Sequence, residues 1–277
     1  MKIVITTVLV SCIILSAYSE EQSSSLSLKL RTDASMSVVD YSDNWEGDES
    51  GLISWIVRNN VNVNAYFGKF KNRSELNLSF GQNKVNEEGK WFDFSKSVDI
   101  ISLENVLSYN TKVLIDPYLA LHFESQLIDS RDTSITYYLN PVDNRVSSGF
   151  SIEPVKSNSL SILTRLGAAI RHKYDKSIDN SLITECGVES ITNIDLTLLK
   201  DIVHYTGRLG FFQSFVELNS NSDNRYPELV FDNRVDIRIL EYFSINLSYD
   251  LKLDFNKNDY FRYKQLYALS LKHTIKL

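Results

Sequence analysis

The sequence contains few residues that cross-link a chain or interrupt its regular structure. Of its 277 residues, 2 are cysteines, 4 are prolines and 10 are glycines. The scarcity of glycine and proline excludes a collagen-like chain and a disordered chain rich in these two residues. Beyond residue 15 no stretch approaches roughly eighteen consecutive apolar residues, so the sequence predicts no transmembrane helix there.

The first residues are typical of a secretory signal peptide. Lys2 precedes an apolar run over residues 3–15, and Ala17 and Ser19 provide the small residues of a cleavage site. This pattern predicts a signal peptide at residues 1–19 and a single exported domain at residues 20–277. Lipidation at Cys12 is an alternative, but it would place the modified cysteine inside the apolar run.

The exported chain is acidic. Removal of residues 1–19 takes away Lys2, one of the 29 basic residues, and none of the 35 acidic ones, so the formal net charge changes from −6 to −7. Such a chain lacks the excess of basic residues typical of a nucleic-acid-binding protein, and we expect no nucleic-acid partner. Cys186 would be its one cysteine, which excludes an intrachain disulfide.

Apolar and polar residues alternate along several segments, which is typical of β-strands with two different faces. The clearest segments are residues 243–255 and 263–277. Segments of this kind run for about 12 to 15 residues, whereas strands of soluble proteins usually have about five or six. A tilted strand that crosses a membrane needs roughly nine to eleven residues inside the bilayer. Strand length therefore favours a membrane barrel over a soluble sheet protein.

The alternation predicts about twelve strands, with ten to fourteen possible. They lie near residues 26–38, 54–67, 73–84, 96–109, 115–128, 147–155, 160–173, 182–196, 203–218, 229–240, 243–255 and 263–277. Short connections near 68–72, 110–114, 156–159, 197–202 and 241–242 alternate with mostly longer ones near 39–53, 85–95, 129–146, 174–181, 219–228 and 256–262.

This order of connections is typical of outer-membrane barrels, which have short periplasmic turns and longer outer loops. The sequence therefore predicts an all-β fold, a closed antiparallel transmembrane β-barrel. We expect it in the outer membrane of a Gram-negative-type bacterium, in contact with outer-membrane lipid and exported by the secretory pathway. An even number of strands would place both termini of the chain on the periplasmic side.

In such a barrel the polar residues of each strand face the lumen and the apolar residues face lipid. The candidates for lining the lumen are Asn60, Asn62, Asn64, His122, Glu124, Gln126, Asp236, Arg238, Asp250 and Lys252. Charges of both signs in a narrow lumen either form a selectivity constriction or pair with each other and fill the interior. The sequence leaves these two alternatives open, as it does the oligomeric state.

The sequence predicts no catalytic, cofactor-binding or metal-binding residues. A lipid hydrolase on an outer-membrane barrel needs a nucleophilic serine beside a histidine, but His122 is followed by Phe123, Glu124 and Ser125 without the expected pattern. We expect a non-enzymatic envelope component or a narrow pore. The alternatives are an outer-membrane lipid hydrolase and a secreted soluble β-sandwich that binds a partner.

Several short motifs resemble those of an uncharacterised family of bacterial outer-membrane β-barrels, a family described only as a domain of unknown function. They are Asn44-Trp45 with Gly47 and Gly51, Asn59 to Asn64, Leu76 to Gly81, Lys96 to Asp99, Phe123 to Gln126, Ser248 to Asp250, and Gln265. The resemblance implies a location and a fold and no reaction. It also implies recognition of the C-terminal strand by barrel-insertion machinery, although Leu277 stands where such barrels usually have Phe.

Overall fold

The computed structural model of the chain describes residues 25–39, 51–87, 90–129, 135–157, 159–177, 181–199, 201–218, 227–255 and 261–277. Almost all of them lie in β-strands. The predicted signal peptide, residues 1–19, lies outside the described residues, as does most of the outer loops predicted near 39–53, 219–228 and 256–262.

Twelve long strands lie within the described residues. They are β1 (Ser25–Val39), β2 (Gly51–Phe67), β3 (Phe70–Glu87), β4 (Ser95–Tyr109), β5 (Ile115–Ser125), β6 (Val142–Lys156), β7 (Leu160–Asp175), β8 (Ser181–Leu198), β9 (Val203–Leu218), β10 (Glu228–Arg238), β11 (Phe243–Asp254) and β12 (Phe261–Lys276). Short strands also occur at Lys90–Trp91, Ile128–Asp129 and Tyr137–Tyr138, the first pairing with β3 and the other two with each other.

The long strands form one closed antiparallel sheet. Each pairs with the strands before and after it in the chain, and β1 also pairs with β12, with Lys29 opposite Lys276 and Met36 opposite Leu269. The backbone of Leu277 extends this ladder by exchanging two hydrogen bonds of 2.9 Å with Leu28. Closure leaves the sheet of twelve long strands, as far as the structure describes it, without an edge strand. The predicted closed barrel is confirmed, and the alternative of a β-sandwich does not describe this fold.

The alternation in the sequence explains which side of each strand faces inward. Along β11, Ser244 and Asn246 are buried, whereas Phe243 and Ile245, which alternate with them, are exposed on the outer surface. Successive side chains of a strand point to opposite faces, so every second residue turns toward the barrel interior. Most charged residues of the described strands lie inside, and most of their exposed large apolar residues lie outside.

The connections differ from the predicted ones at a few strand ends. Strand β6 begins at Val142 rather than near residue 147, β5 ends at Ser125 rather than at 128, and β10 ends at Arg238 rather than at 240. In the first case polar side chains at the end with the longer connections obscure the alternation. In the last case Ile239 and Leu240, although apolar, lie in the turn before β11 and are exposed.

Glycine allows the tight turn between β2 and β3. Gly68 has φ of 59° at the first of the two turn residues, a left-handed conformation that strains most other residues. The turn brings Phe67 and Phe70 together with ring centroids 6.0 Å apart.

Glycine also sets the close approach of β6 and β7, where Gly149 lies opposite Gly167. A Cβ added at Gly149 would lie 2.1 Å from the carbonyl oxygen of Leu166, whereas one added at Gly210 would meet nothing nearer than 3.9 Å. We expect Gly149→Ala to lower the free energy of unfolding by about 1–3 kcal/mol, because overpacking forces the backbone apart. Urea unfolding in lipid vesicles measures this effect. The matched control Gly210→Ala should change it little, and equal effects of the two variants would contradict the prediction.

Candidate functional site

The barrel interior holds ion pairs between strands that are not neighbours in the sheet. Glu104 of β4 contacts Arg208 of β9, although four strands separate β4 from β9 in the order of the sheet. Side chains on the outer surface of a closed barrel diverge and cannot make such a contact. The contact therefore identifies both side chains as inward-facing, and through strand alternation it fixes the inward face of each strand.

Glu104 is the centre of a buried cluster with two arginines, which we call the Glu104 cluster. Its Oε1 accepts a hydrogen bond of 2.5 Å from Nη2 of Arg165 and one of 3.3 Å from Nη2 of Arg208. Arg165 is 1% exposed, and its guanidinium carbon lies 5.6 Å from the centroid of the Tyr118 ring. One carboxylate thus provides the counter-charge for two guanidinium groups in the middle of the lumen.

A second cluster joins β1, β10 and β12 nearer the short connections. Arg31 donates to Asp236 at 2.5 Å and to Asp33 at 3.0 Å. Arg234 donates to the same two carboxylates at 3.0 and 3.1 Å, and Nζ of Lys272 lies 3.6 Å from Asp236. The alternation of signs lets each carboxylate in the cluster contact at least two cations.

A third cluster lies nearer the longer connections, around Arg171 of β7. Its guanidinium donates to Asp143 at 2.5 Å and to Glu228 at 2.5 Å. Lys173 pairs with Glu185 at 3.0 Å, and Lys252 pairs with Glu228. Together the three clusters cross the lumen at three heights, and their charges would be costly to bury without these partners.

The predicted lumen candidates fall on this interior or at its ends. The inward-facing positions of strands include Asn60, Asn62, Asn64, His122, Glu124, Asp236, Asp250 and Lys252. Asn60 donates to Glu75 at 2.8 Å and to Asn77 at 2.5 Å. Gln126 lies one residue beyond β5 and accepts a hydrogen bond of 2.7 Å from Lys96, and Arg238 is the exposed last residue of β10. Whether any of them contacts a solute stays a prediction.

The central partners of these clusters are missing from the sequence-based candidates. Glu104, Arg165, Arg171, Arg208 and Glu228 were not among them, although all are charged; the first four lie within predicted strands, and Glu228 is the last residue of the loop predicted near 219–228. A signal was present in β7, where Arg165 and Arg171 alternate with the apolar residues Leu166 and Ile170. The blurred alternation of the neighbouring segment 182–196 gave no comparable signal for Glu185 and Glu189.

The described histidines make contacts that suit structural roles. Nε2 of His122 lies 3.7 Å from Glu124, Nε2 of His204 lies 3.6 Å from Asp195, and Nδ1 of His172 lies 2.9 Å from Oγ1 of Thr184. His273 lies against the ring of Tyr242 with centroids 6.2 Å apart. In the part of the chain that the structure describes, no group of three His, Cys, Asp or Glu side chains could hold a metal ion.

The outer face of the barrel is apolar over most of its described surface. Its exposed large side chains include Leu119, Leu121, Val146, Phe150, Leu166, Ile170, Leu209, Phe215, Leu269 and Leu271. Several polar side chains on this face pair with each other: Thr164 lies 3.0 Å from Thr192, Thr32 donates to Asn59 at 2.8 Å, and Tyr205 donates to Asn233 at 2.6 Å. The fold is therefore inside-out relative to a soluble protein.

The charged interior leaves small spaces. A cavity of about 10 Å³ lies among Glu104, His122, Arg145 and Glu189. A larger one of about 50 Å³ lies on the other side of Glu104, toward the short connections, and we call it the turn-side cavity. Ion pairs fill the space between the walls together with a few inward-facing apolar and aromatic side chains, such as Tyr118 and Phe212, which pack against Arg165 and Arg171.

Comparison with known proteins finds one family model and several solved structures that are similar to this chain. Residues 36–130 match a family described as "Protein of unknown function (DUF3078)", and this stretch contains most of the motifs on which the resemblance rests. No curated protein matches the sequence.

Among solved structures, an outer-membrane channel from Pseudomonas putida F1 has 10% identity and a TM-score of 0.48, covering 94% of this chain and 98% of that chain. The outer-membrane channel DcaP of Acinetobacter baumannii has 9% identity and a TM-score of 0.36, covering 92% and 97%. The translocator domain of the autotransporter NalP from Neisseria meningitidis has 11% identity and a TM-score of 0.35, covering 94% and 92%. Proteins with barrels of this general kind differ in function, so function must be argued from the site itself.

Proposed function

We propose that this chain is a non-enzymatic outer-membrane protein of a Gram-negative-type bacterium, which forms a narrow pore whose lumen is restricted by ion pairs. The observation that carries the proposal is the reversal of polarity: apolar side chains such as Leu166 and Phe150 are exposed outside, while Arg165 and Glu189 are buried inside. Water would not favour such a surface, because large exposed apolar areas drive association. A bilayer favours it, and a closed sheet satisfies the backbone hydrogen bonds that lipid cannot.

The pairing of polar side chains on the outer face supports the same proposal. In hydrocarbon an unpaired hydroxyl or amide group is costly, whereas in water it needs no protein partner. The outward pairs Thr164–Thr192 and Thr32–Asn59 fit a surface that contacts lipid. Among the described residues no helix is long and apolar enough to cross a membrane.

Electrophoresis of the detergent-solubilised protein with and without boiling tests the barrel in a membrane-like environment. We expect the unheated protein to keep its sheet and to migrate differently from the boiled protein, because its backbone hydrogen bonds are internal. Fractionation of cells should place the protein with the outer membrane. Recovery in the aqueous periplasmic fraction, or identical mobility before and after boiling, would contradict the proposal.

Conductance distinguishes a narrow pore from a wide channel. We expect the purified protein in a planar bilayer to give small current steps, because the Glu104 cluster and the cluster around Arg171 both cross the lumen. Glu104→Ala should increase the step size, since it removes the carboxylate that holds Arg165 and Arg208 together. Large steps from the unmodified protein, or steps that the substitution leaves unchanged, would contradict the restriction by ion pairs.

Export and assembly follow from the same location. The chain would reach the envelope by the secretory pathway with residues 1–19 removed, and the strand ending at Leu277 would engage barrel-insertion machinery. N-terminal sequencing of the membrane-inserted protein tests the first step. A mature chain that starts at Glu20 supports it, and retention of Lys2 contradicts it.

A further inference from the structure

The turn-side cavity is lined by charged side chains from several strands. Its basic residues are Lys71, Arg73 and Arg165, and its acidic residues are Glu104, Asp116 and Glu153. Lys71 follows the short turn between β2 and β3, and Asp116 is the second residue of β5, so the cavity lies close to the end of the barrel with the short connections. It reaches inward as far as the Glu104 cluster.

Two of the three carboxylates at this cavity are each shared by two cations. Glu104 is shared by two guanidinium groups, those of Arg165 and Arg208. Glu153 is shared by two ammonium groups, with Nζ of Lys156 at 3.2 Å and Nζ of Lys71 at 3.9 Å. Glu104 and Glu153 therefore each face two cations, whereas the third carboxylate, Asp116, accepts hydrogen bonds from the backbone N–H and the hydroxyl group of Thr111.

Two arginines at the cavity have unused hydrogen-bonding capacity. Arg165 is almost fully buried, yet its Nε and Nη1 have no hydrogen-bond partner among the described residues. Arg73 likewise has no carboxylate within ion-pair distance in the described part of the chain, although it lines the same space. A buried guanidinium group with free N–H donors is costly unless an acceptor, preferably an anionic one, meets it.

We propose that the turn-side cavity binds a small oxyanion, a phosphate or carboxylate group, between Arg73 and Arg165. Guanidinium groups suit such ligands because their planar N–H donors match carboxylate and phosphate oxygens. The side-chain amide of Asn193 also lines the cavity and can donate to the anion. The hydroxyl groups of Ser108 and Ser151 line it too, but they already donate to the backbone carbonyls of Lys71 and Asp116. The volume of about 50 Å³ admits a group of this size but no large solute.

This site would give the narrow pore of the proposed function a preference for anionic solutes entering from the end with short connections. The inference rests on that function for its cellular meaning, whereas binding itself depends on the folded interior alone. The proposed function and the proposed binding of an oxyanion can therefore be refuted separately. A protein that passes the electrophoresis test but binds no oxyanion refutes the site and leaves the barrel proposal intact.

Calorimetric titration of the full-length detergent-solubilised protein tests the site. Inorganic phosphate and acetate are titrated in turn at constant ionic strength set with sodium chloride, and we expect saturable binding of at least one of them at one site per chain. Arg73→Gln should weaken binding about tenfold or more, in line with the strength of hydrogen bonds to charged groups. Its matched control is Arg58→Gln, because Arg58 also faces the interior and has no ion pair in the described chain but does not line the cavity.

The control should change the affinity by no more than about twofold relative to the unmodified protein. This change is far smaller than the tenfold change expected for Arg73→Gln, which corresponds to about 1.4 kcal/mol. An equal loss in both variants would mean that the charge of the whole lumen attracts anions, and would overturn the site. Absence of saturable binding of both anions would overturn it too. Electrophoresis without boiling confirms that each variant is folded, and Lys71→Gln, with the same expected sign, replaces Arg73→Gln if the latter fails to fold.

Discussion

Replacing Leu166 by arginine is expected to lower the free energy of unfolding of the barrel in a bilayer by about 2–4 kcal/mol, the effect of a basic residue at the lipid-facing midplane. Leu166 lies near the middle of β7, and its side chain is 61% exposed on the outer face. In a soluble protein the same substitution would replace an exposed apolar side chain by a charged one and would cost almost nothing. Urea unfolding in lipid vesicles gives the measurement.

The matched control for this prediction is Leu198→Arg. Leu198 is also exposed on the outer face, but it is the last residue of β8, next to a short connection. At the membrane interface a basic residue costs only about 0–1 kcal/mol, since its charge reaches water. A midplane effect that exceeds the effect at the strand end supports a bilayer around β7. Two equally small effects would refute it.

Glu104→Gln is expected to lower the free energy of unfolding by about 3–5 kcal/mol, the range for removing one partner of a buried ion pair. The substitution keeps the size of the side chain and removes the one negative charge between Arg165 and Arg208. Arg165 would feel the loss most, because it is buried and its other N–H groups already have no partner. Urea unfolding in vesicles, with tryptophan fluorescence as the signal, measures the loss.

Two controls separate the loss of this charge from a general effect of charge. Glu153→Gln removes a carboxylate whose nearer partner, Lys156, has a side chain 63% exposed and whose other partner, Lys71, lies at 3.9 Å, and it should cost no more than about 1 kcal/mol. Adding Arg165→Gln to Glu104→Gln should restore part of the stability, because one unpaired buried cation is removed. If the double variant is less stable than Glu104→Gln, the unpaired buried charge of Arg165 is not the cause of the stability lost in Glu104→Gln.

The strand pattern could be predicted because lipid imposes a simple rule on the outer face of a barrel. In β11 every outward residue from Phe243 to Leu253 is apolar, and the predicted strand 243–255 differs from the observed Phe243–Asp254 by one residue. The predicted segment 203–218 has the same bounds as β9. Long strands that cross a bilayer repeat the alternation often enough to define their length as well as their type.

Strand ends were harder to predict, because outward-facing residues need to be apolar only where they contact lipid and the strands extend beyond that region. At the start of β6, Asn144 is an outward residue, yet it is polar and exposed, so the alternation there resembles that of a loop. At the end of β10 the opposite error arises, since Ile239 and Leu240 look like a continuation of the strand but form the turn. Hydrophobicity reports contact with lipid rather than backbone pairing.

The sequence pattern predicts which side chains face the interior, but it does not predict which of them contact each other. Alternation identifies Glu104 as inward-facing once β4 is placed, but its contact with Arg208 depends on which strands face each other across the lumen. That relation is set by the number, tilt and stagger of the strands, which no local pattern encodes. The unpaired donors of Arg165 follow from the same three-dimensional arrangement, so the anion site could be inferred from the structure alone.

The pairing of β1 with β12 has a consequence for folding. Ser35 and Ser270 meet across this seam through a hydrogen bond of 2.6 Å, although 235 positions separate them in the sequence. Contacts between residues so far apart in the sequence require the closure of a long loop, and the entropic cost of that closure slows the formation of the native state. Until that seam forms, β1 and β12 have unpaired edges and the sheet has an exposed apolar face, and both features promote aggregation. The unclosed chain is therefore prone to self-association, and the rate of seam formation sets how long it stays so.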